Sequence, residues 1–276
     1  MTSLLKLNKR QKSVLILCST IICLLSILII RLFLSENHIV TNLPERNLRP
    51  SLTHLFGTDW LGRDMFARTI MGLTLSIKVG LLGAFGSSII ALVLGMLAGV
   101  NKWLDLLVSW LIDLFLSVPH LVTLILISFA LGGGIKGVLI GVMVTHWPSL
   151  ARLIRAEVIQ IQSSDYVKIS QRFGYSQIWI AKHHIFPHVF PQLIVGFLLL
   201  FPHVILHEAA ITFLGMGLSP HEPAIGIILN ESMKYLSSGM WWLAFFPGIC
   251  LLVIVFIFDK IGENLRALFD PSQSQQ

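Results

Sequence analysis

The chain has 276 residues, of which 55% are hydrophobic and only 12% charged, against about 25% charged in a typical soluble domain. With a mean hydropathy of +0.80, an ordinary soluble enzyme is excluded and the membrane class is indicated. The net charge of +6, from 20 Lys+Arg against 14 Asp+Glu, does not call for a nucleic-acid partner, because the basic residues gather in a few loops where membrane topology accounts for them.

In chain order, residues 1–13 are basic, with Lys6, Lys9, Arg10 and Lys12, and precede an apolar run at 14–34. No small-residue cleavage site follows, so the run is predicted to be a retained first span rather than a signal peptide. Residues 35–75 form a long polar loop. It carries Gly57-Thr58-Asp59-Trp60-Leu61-Gly62-Arg63-Asp64 and ends in a predicted amphipathic helix at 65–74. The glycines suit tight turns, and Asp and Arg at this spacing can pair and pin the loop, which is a structural role. Five more spans are predicted at 76–100, 107–131, 134–150, 189–216 and 240–258, each able to cross about 30 Å of hydrocarbon. Pro119 in the third span and Pro202 in the fifth are tolerable in a bundle whose neighbours satisfy the freed carbonyls. Gly132–Gly134 makes a tight external turn. The core is thus 76–258, followed by a tail at 259–276, and the fold class is all-α: a six-span transmembrane helical bundle. Cys18, Cys23 and Cys250 lie in apolar runs without metal-site spacing and read as packing residues.

The N-terminal cluster and the cluster Arg152, Arg155, Lys168, Arg172 and Lys182 after the fourth span are both expected on the cytoplasmic side. An even number of spans then puts both termini inside. The loop 35–75 falls outside, although Arg46, Arg49, Arg63 and Arg68 run against the charge rule. No phosphate loop, H-E-x-x-H, G-x-S-x-G or paired-carboxylate constellation stands out, so no catalytic residue is expected and energy coupling requires an ATPase on another chain.

The loop 151–188 is the most informative polar stretch. Residues 163–182 read as an amphipathic helix interrupted near Gly174, with Val167, Phe173, Ile178 and Trp179 on its apolar face and Lys168, Arg172 and Lys182 on the polar one. Ser164 and Asp165 are suited to start it and Pro187 to end it. By composition it is either a helix lying in the headgroup region or a socket for a cytoplasmic partner. Within the spans, His203 and His207 share one helix face, Glu208 follows directly, and His146 stands beside Trp147, with His120 a secondary candidate after Pro119. Ionisable groups inside a span are costly and point to a translocation path. Imidazoles four residues apart can meet a divalent transition metal; equally, buried histidines donate to backbone carbonyls and Glu208 can pair with one of them. Because cargo must leave, no closed metal site is expected, only transient contacts at His203 and His207.

The frame Lys168-Ile169-Ser170, Gly174 and His184-Ile185-Phe186-Pro187 resembles the cytoplasmic coupling loop of ABC-importer permeases, although the E-A-A triplet of that pattern is not kept. Asp165-Tyr166-Val167 fits the dipeptide/oligopeptide/nickel branch of the family. The segment Gly57–Asp64 resembles the G-T-D-x-L-G-R-D signature of the second permease subunit in that branch, with Gly57, Asp59, Gly62, Arg63 and Asp64 among the matching residues. Phe213-Leu214-Gly215-Met216-Gly217-Leu218-Ser219-Pro220 resembles its F-L-G-L-G-x-x-P stretch. The resemblance runs from about Leu55 onward. It implies a type I importer permease in the plasma or inner membrane of a prokaryote, paired with a second permease, two ATPase subunits and an extracellular substrate-binding protein. ATP and Mg would sit on the ATPases, with no cofactor on this chain. Asp165, Tyr166, Lys168, Arg172, Gly174 and Pro187 would serve ATPase coupling. His146, His203, His207 and Glu208 would line the path. The histidines look like the nickel subgroup, which implies nickel, cobalt or a metal–chelator (metallophore) complex as cargo; a di- or oligopeptide is the alternative. An intramembrane enzyme would need a Ser or Cys nucleophile matched to the histidines, and a passive channel would not need the coupling helix.

Overall fold

The computed structural model describes residues 9–34 and 39–269, so the first basic residues (1–8) and the last stretch of the expected tail (270–276) lie outside the described residues. Among the described residues the structure is helical, with a single isolated bridge between Thr58 and Asp64 and no strand. The helices are α1 Lys9–Phe33, α2 Met65–Ala98, α3 Lys102–Ser117, α4 His120–Ala130, α5 Gly134–Gln162, α6 Asp165–Arg172, α7 Gln177–Ile180, α8 Phe186–Phe213, α9 Ile225–Leu236 and α10 Trp242–Phe269. Five segments are long and apolar enough to cross a membrane: α1, α2, α5, α7 with α8, and α10. The bent pair α3–α4 makes a sixth if it is counted as one span. The chain is an all-α, multi-pass membrane protein.

Several expected boundaries move, each for a local reason. The helix expected at 65–74 is not separate. Asp64 caps α2 by accepting from the Ala67 N–H at 2.8 Å, and the helix continues for 34 residues. At 1.5 Å per residue it is about 51 Å long, more than the hydrocarbon needs, so it extends beyond the hydrocarbon layer. The expected straight span 107–131 is broken. Pro119 has no N–H to give and forces the preceding residue out of the helical region; Val118 sits at φ −95°, ψ 139°, and α3 and α4 meet at 96°. The fourth span does not stop near residue 150. Arg152 and Arg155 lie on α5, where Asp113 and Asp105 of α3 bind them at 2.8 and 2.5 Å, so the polar loop expected at 151–188 shortens to 163–185. Pro187 does not end a helix: it stands in the first turn of α8, where a missing N–H is tolerated. Likewise α10 runs to Phe269, well past the expected end of its span.

Helix α2 is central, packing mainly on α5 and α8, while α10 packs on α8, α1 and α9. In lipid there is little hydrophobic drive between helices, so close backbone approach and dispersion must hold them. Gly83 and Gly95 permit this: a Cβ on Gly83 would lie 2.8 Å from Val142 Cγ1, and one on Gly95 2.5 Å from Ile154 Cγ2. Two apolar clusters result. One joins α2, α5, α8, α9 and α10 around Phe201, Ile205, Ile228 and Leu243. The other joins the far ends of α2 and α5 to α3 and to the 163–185 segment through Ile154, Val158, Val167 and Ile180. Apolar side chains also cover the outside, such as Leu32 at 83% and Trp103 at 82% exposed, as a lipid-facing surface requires.

Candidate functional site

The polar segment between α5 and α8 folds as a short helical hairpin. Ser164 precedes α6, but its hydroxyl turns back to the Ile161 carbonyl and does not cap the helix. At the other end Gly174 adopts φ +84°. Its N–H donates to the Gln171 carbonyl at 3.0 Å and the Tyr175 N–H to the Ser170 carbonyl at 3.2 Å, the paired bonds of a left-handed helix stop that favours glycine. Buried Val167, Ile180 and Ile185 anchor the hairpin to the second cluster. Ser170 Oγ meets His184 Nε2 at 2.9 Å, Tyr166 packs edge-on to the same ring, and Trp179 stacks between Tyr175 and His183. The expected apolar face therefore splits. Val167 points in and Trp179 is half-buried, whereas Phe173 and Ile178 stand out at 79% and 82% exposed. Asp165 and Lys168 pair loosely at 3.6 Å. Both are exposed, as are Arg172, Gly174 and Pro187.

The segment Gly57–Asp64 is a pinned loop. Asp59 is fully buried and accepts from the Leu61 and Arg63 N–H groups, from Arg63 Nε at 2.7 Å and from Arg68 Nη1 at 2.7 Å. Glu231 of α9 binds the other side of Arg68 at 2.8 Å and Arg63 at 3.5 Å. Trp60 stacks on Tyr235 of α9 and lies under both guanidiniums. Asp64 caps α2 and holds His54 Nδ1 at 2.8 Å. Gly57 and Gly62 take φ +72° and +76°, and a Cβ on Gly62 would fall on the Asn42 carbonyl. Arg68, Glu231 and His54 complete this network; their parts could not be read from spacing, since Glu231 is remote in the chain from the rest.

Within the bundle, His146 and His207 come together, and His120 joins them. The three rings stand 4.1, 4.8 and 5.1 Å apart by centroid. Each offers one ligand atom, and these atoms lie within 4.8 Å of one another. The expected partner His203 is not in the group: its ring is exposed and its carbonyl receives the His207 Nδ1–H at 2.7 Å. Glu208 also stands apart, fully buried and accepting from the Thr212 hydroxyl at 3.0 Å. Thr212 in turn receives the Leu218 N–H at 3.2 Å, so this carboxylate braces the loop after α8. The signal for His120 was the proline before it: the break at Pro119 turns α4 across the bundle and swings its first residue against α5.

With this architecture in view, residues 91–271 match the family model described as the binding-protein-dependent transport system inner membrane component. The chain belongs to this family. Relatives include the dipeptide transport system permease protein DppC of Bacillus subtilis (strain 168), 33% identical over 87% of this chain and 75% of the relative. The oligopeptide transport system permease protein OppC of the same organism is 31% identical over 87% of this chain and 79% of the relative. The fold is also that of a chain in inward-facing structures of the MetNI methionine ABC transporter, with a TM-score of 0.61 at 19% identity, covering 75% of this chain and 98% of the other. This family member is an ABC-importer permease, and the histidines belong to its membrane bundle.

Proposed function

We propose that the chain is one of two permease subunits of an ATP-driven importer, working with a second permease, two ATPase subunits that carry ATP and Mg, and a substrate-binding protein outside. Both termini and the 163–185 hairpin face the cytoplasm, where the basic clusters favour them. The observation that carries this reading is the pair Phe173 and Ile178, two large apolar side chains held out at 79% and 82% exposed on either side of Gly174. Exposed apolar anchors rimmed by polar residues suit a protein partner. The buried side of the hairpin is locked to α5 and α8 through Val167, Ile180 and Ile185. A push from the ATPases therefore reaches the spans as a rigid movement, opening the bundle alternately to either side.

For the cargo, the relatives' names support a di- or oligopeptide over the nickel, cobalt or metallophore cargo suggested by the sequence. A second reading rests on one observation: three imidazoles from three helices gathered within the bundle, a donor set suited to a transition metal or its chelate. Purification of the complete transporter tests the subunit role. Phe173→Asp with Ile178→Asp should strip the ATPases from the complex while the two permeases stay together. Full retention of the ATPases would sink the docking assignment. Uptake of labelled dipeptides against labelled nickel or cobalt, with and without chelator, separates the cargoes.

A further inference from the structure

We infer that His120, His146 and His207 form a binding site for one divalent transition metal ion, held by three imidazole nitrogens with at least one coordination position left open. Hydrogen bonding already assigns a donor atom to each ring. His120 directs Nε2 to the Thr145 carbonyl at 3.0 Å, which leaves Nδ1 as the lone-pair nitrogen; that atom is buried and has no partner. His146 directs Nδ1 to the Val142 carbonyl at 3.1 Å, leaving Nε2. His207 directs Nδ1 to the His203 carbonyl at 2.7 Å, leaving its own Nε2. In each case a backbone carbonyl takes one N–H and fixes the tautomer, the outer-shell arrangement that metal-ligating histidines use. One contact runs between rings: His146 Nε2 and His207 Nδ1 at 3.4 Å, longer than a normal hydrogen bond.

Distances decide whether an ion fits. Metal–nitrogen bonds of about 2.0–2.1 Å put two nitrogens on one ion about 2.9–3.4 Å apart. One nitrogen from each of the three rings lies within 4.8 Å of the others; on His207 the nitrogen that faces His146 is Nδ1, so that ring has to turn to present Nε2. Closing that gap takes a shift of about 1 Å at each outer ring, within reach of the soft terminal torsion of histidine. His146 is buried and anchors the set, whereas His120 and His207 are half-buried and turn toward it by readjusting their carbonyl hydrogen bonds. Three protein ligands leave room for a further donor, so the site takes a metal that still carries water or part of a small chelator. It joins α4, α5 and α8 where the α3–α4 bend meets them. Relative movement of these helices makes and breaks the site, which lets a bound ion leave.

Its part in transport rests on the metal reading of the cargo, so binding and uptake are measured separately. The purified, complete transporter is equilibrated with Co2+ and with Ni2+, bound metal is counted, and nitrogen ligation is read from the Co2+ absorption spectrum and from Cu2+ electron paramagnetic resonance. We expect one ion per copy of this chain with imidazole coupling. His120→Ala, His146→Ala and His207→Ala should each weaken binding by roughly tenfold or more. His203→Ala keeps the carbonyl that orients His207 and should bind as the unmodified protein does; His207→Gln gives a polar variant in case the alanine forms fail to assemble. The inference is overturned if the unmodified transporter shows no imidazole-coupled metal, or if His203→Ala loses as much binding as His207→Ala. Bound metal without metal uptake upholds the site and removes only the cargo reading. Metal uptake without bound metal overturns the site and leaves that reading standing.

Discussion

Replacing Asp59 by Asn tests the pinned loop Gly57–Asp64 most sharply. Asp59 is fully buried and takes two guanidinium contacts at 2.7 Å besides two backbone N–H groups. Asn retains a carbonyl for the backbone donors but presents an amide, itself a donor, toward Arg63 and Arg68. Removing one partner of a buried pair costs about 3–5 kcal/mol, because the other charge is left uncompensated. Glu231 still holds Arg68 at 2.8 Å and Arg63 at 3.5 Å and is partly exposed, which favours the lower end. We expect a loss of about 3 kcal/mol, on the order of a hundredfold in the unfolding equilibrium. The comparison is Asp113→Asn. Its pair with Arg152 has a similar length, 2.8 Å, but side chains 72% and 56% exposed, and a solvated pair contributes about 0–1 kcal/mol. Detergent-solubilised transporter would be unfolded with increasing SDS and followed by tryptophan fluorescence, to which Trp60, stacked on Tyr235 at 4.6 Å, responds directly. Equal losses for the two variants would refute the claim that burial makes the Asp59 network a structural pin.

Two further outcomes follow from the same geometry. Gly62→Ala imposes a side chain at φ +76° and drives its Cβ onto the Asn42 carbonyl, so the 39–64 loop should open to protease at a cost above about 1 kcal/mol; unchanged cleavage would contradict the packing. Thr212→Val removes the hydroxyl that donates to buried Glu208 and accepts from Leu218. It should cost about 1–3 kcal/mol in the same unfolding assay, with Thr212→Ser close to the unmodified protein.

Much of this fold was legible because membrane spans announce themselves in single stretches of chain. Long apolar runs marked the helices, and Gly174 marked the interruption of the amphipathic stretch; the break at Pro119 was not read, because a proline can also be accommodated within a span. The Asp59–Arg63 pair was readable too, since its members lie four residues apart in a tight loop. Boundaries were less legible where polar residues belong to helices. Arg152 and Arg155 look like loop residues until α3 supplies Asp113 and Asp105 as partners. The amphipathic pattern assigned to 65–74 failed for the converse reason: Arg68 sits in a buried position because Asp59 and Glu231 neutralise it there.

Composition and local pattern alone determined the membrane class, the all-α bundle, the pinned loop and an amphipathic helical stretch interrupted near Gly174. These depend on the period of a helix, on solvation of side chains and on backbone conformations that proximity in sequence controls. Which ionisable groups meet across helices was decided only by tertiary structure. His203 and His207 share a helix face, yet the ring beside His207 is His146 from α5, with His120 brought alongside by the Pro119 break. Glu208 turns away to brace Thr212. Helix spacing tells which side chains point the same way along one helix; what stands opposite them depends on how neighbouring helices cross, and that is set by close contacts such as Gly83 on Val142 and Gly95 on Ile154, between residues far apart in the chain.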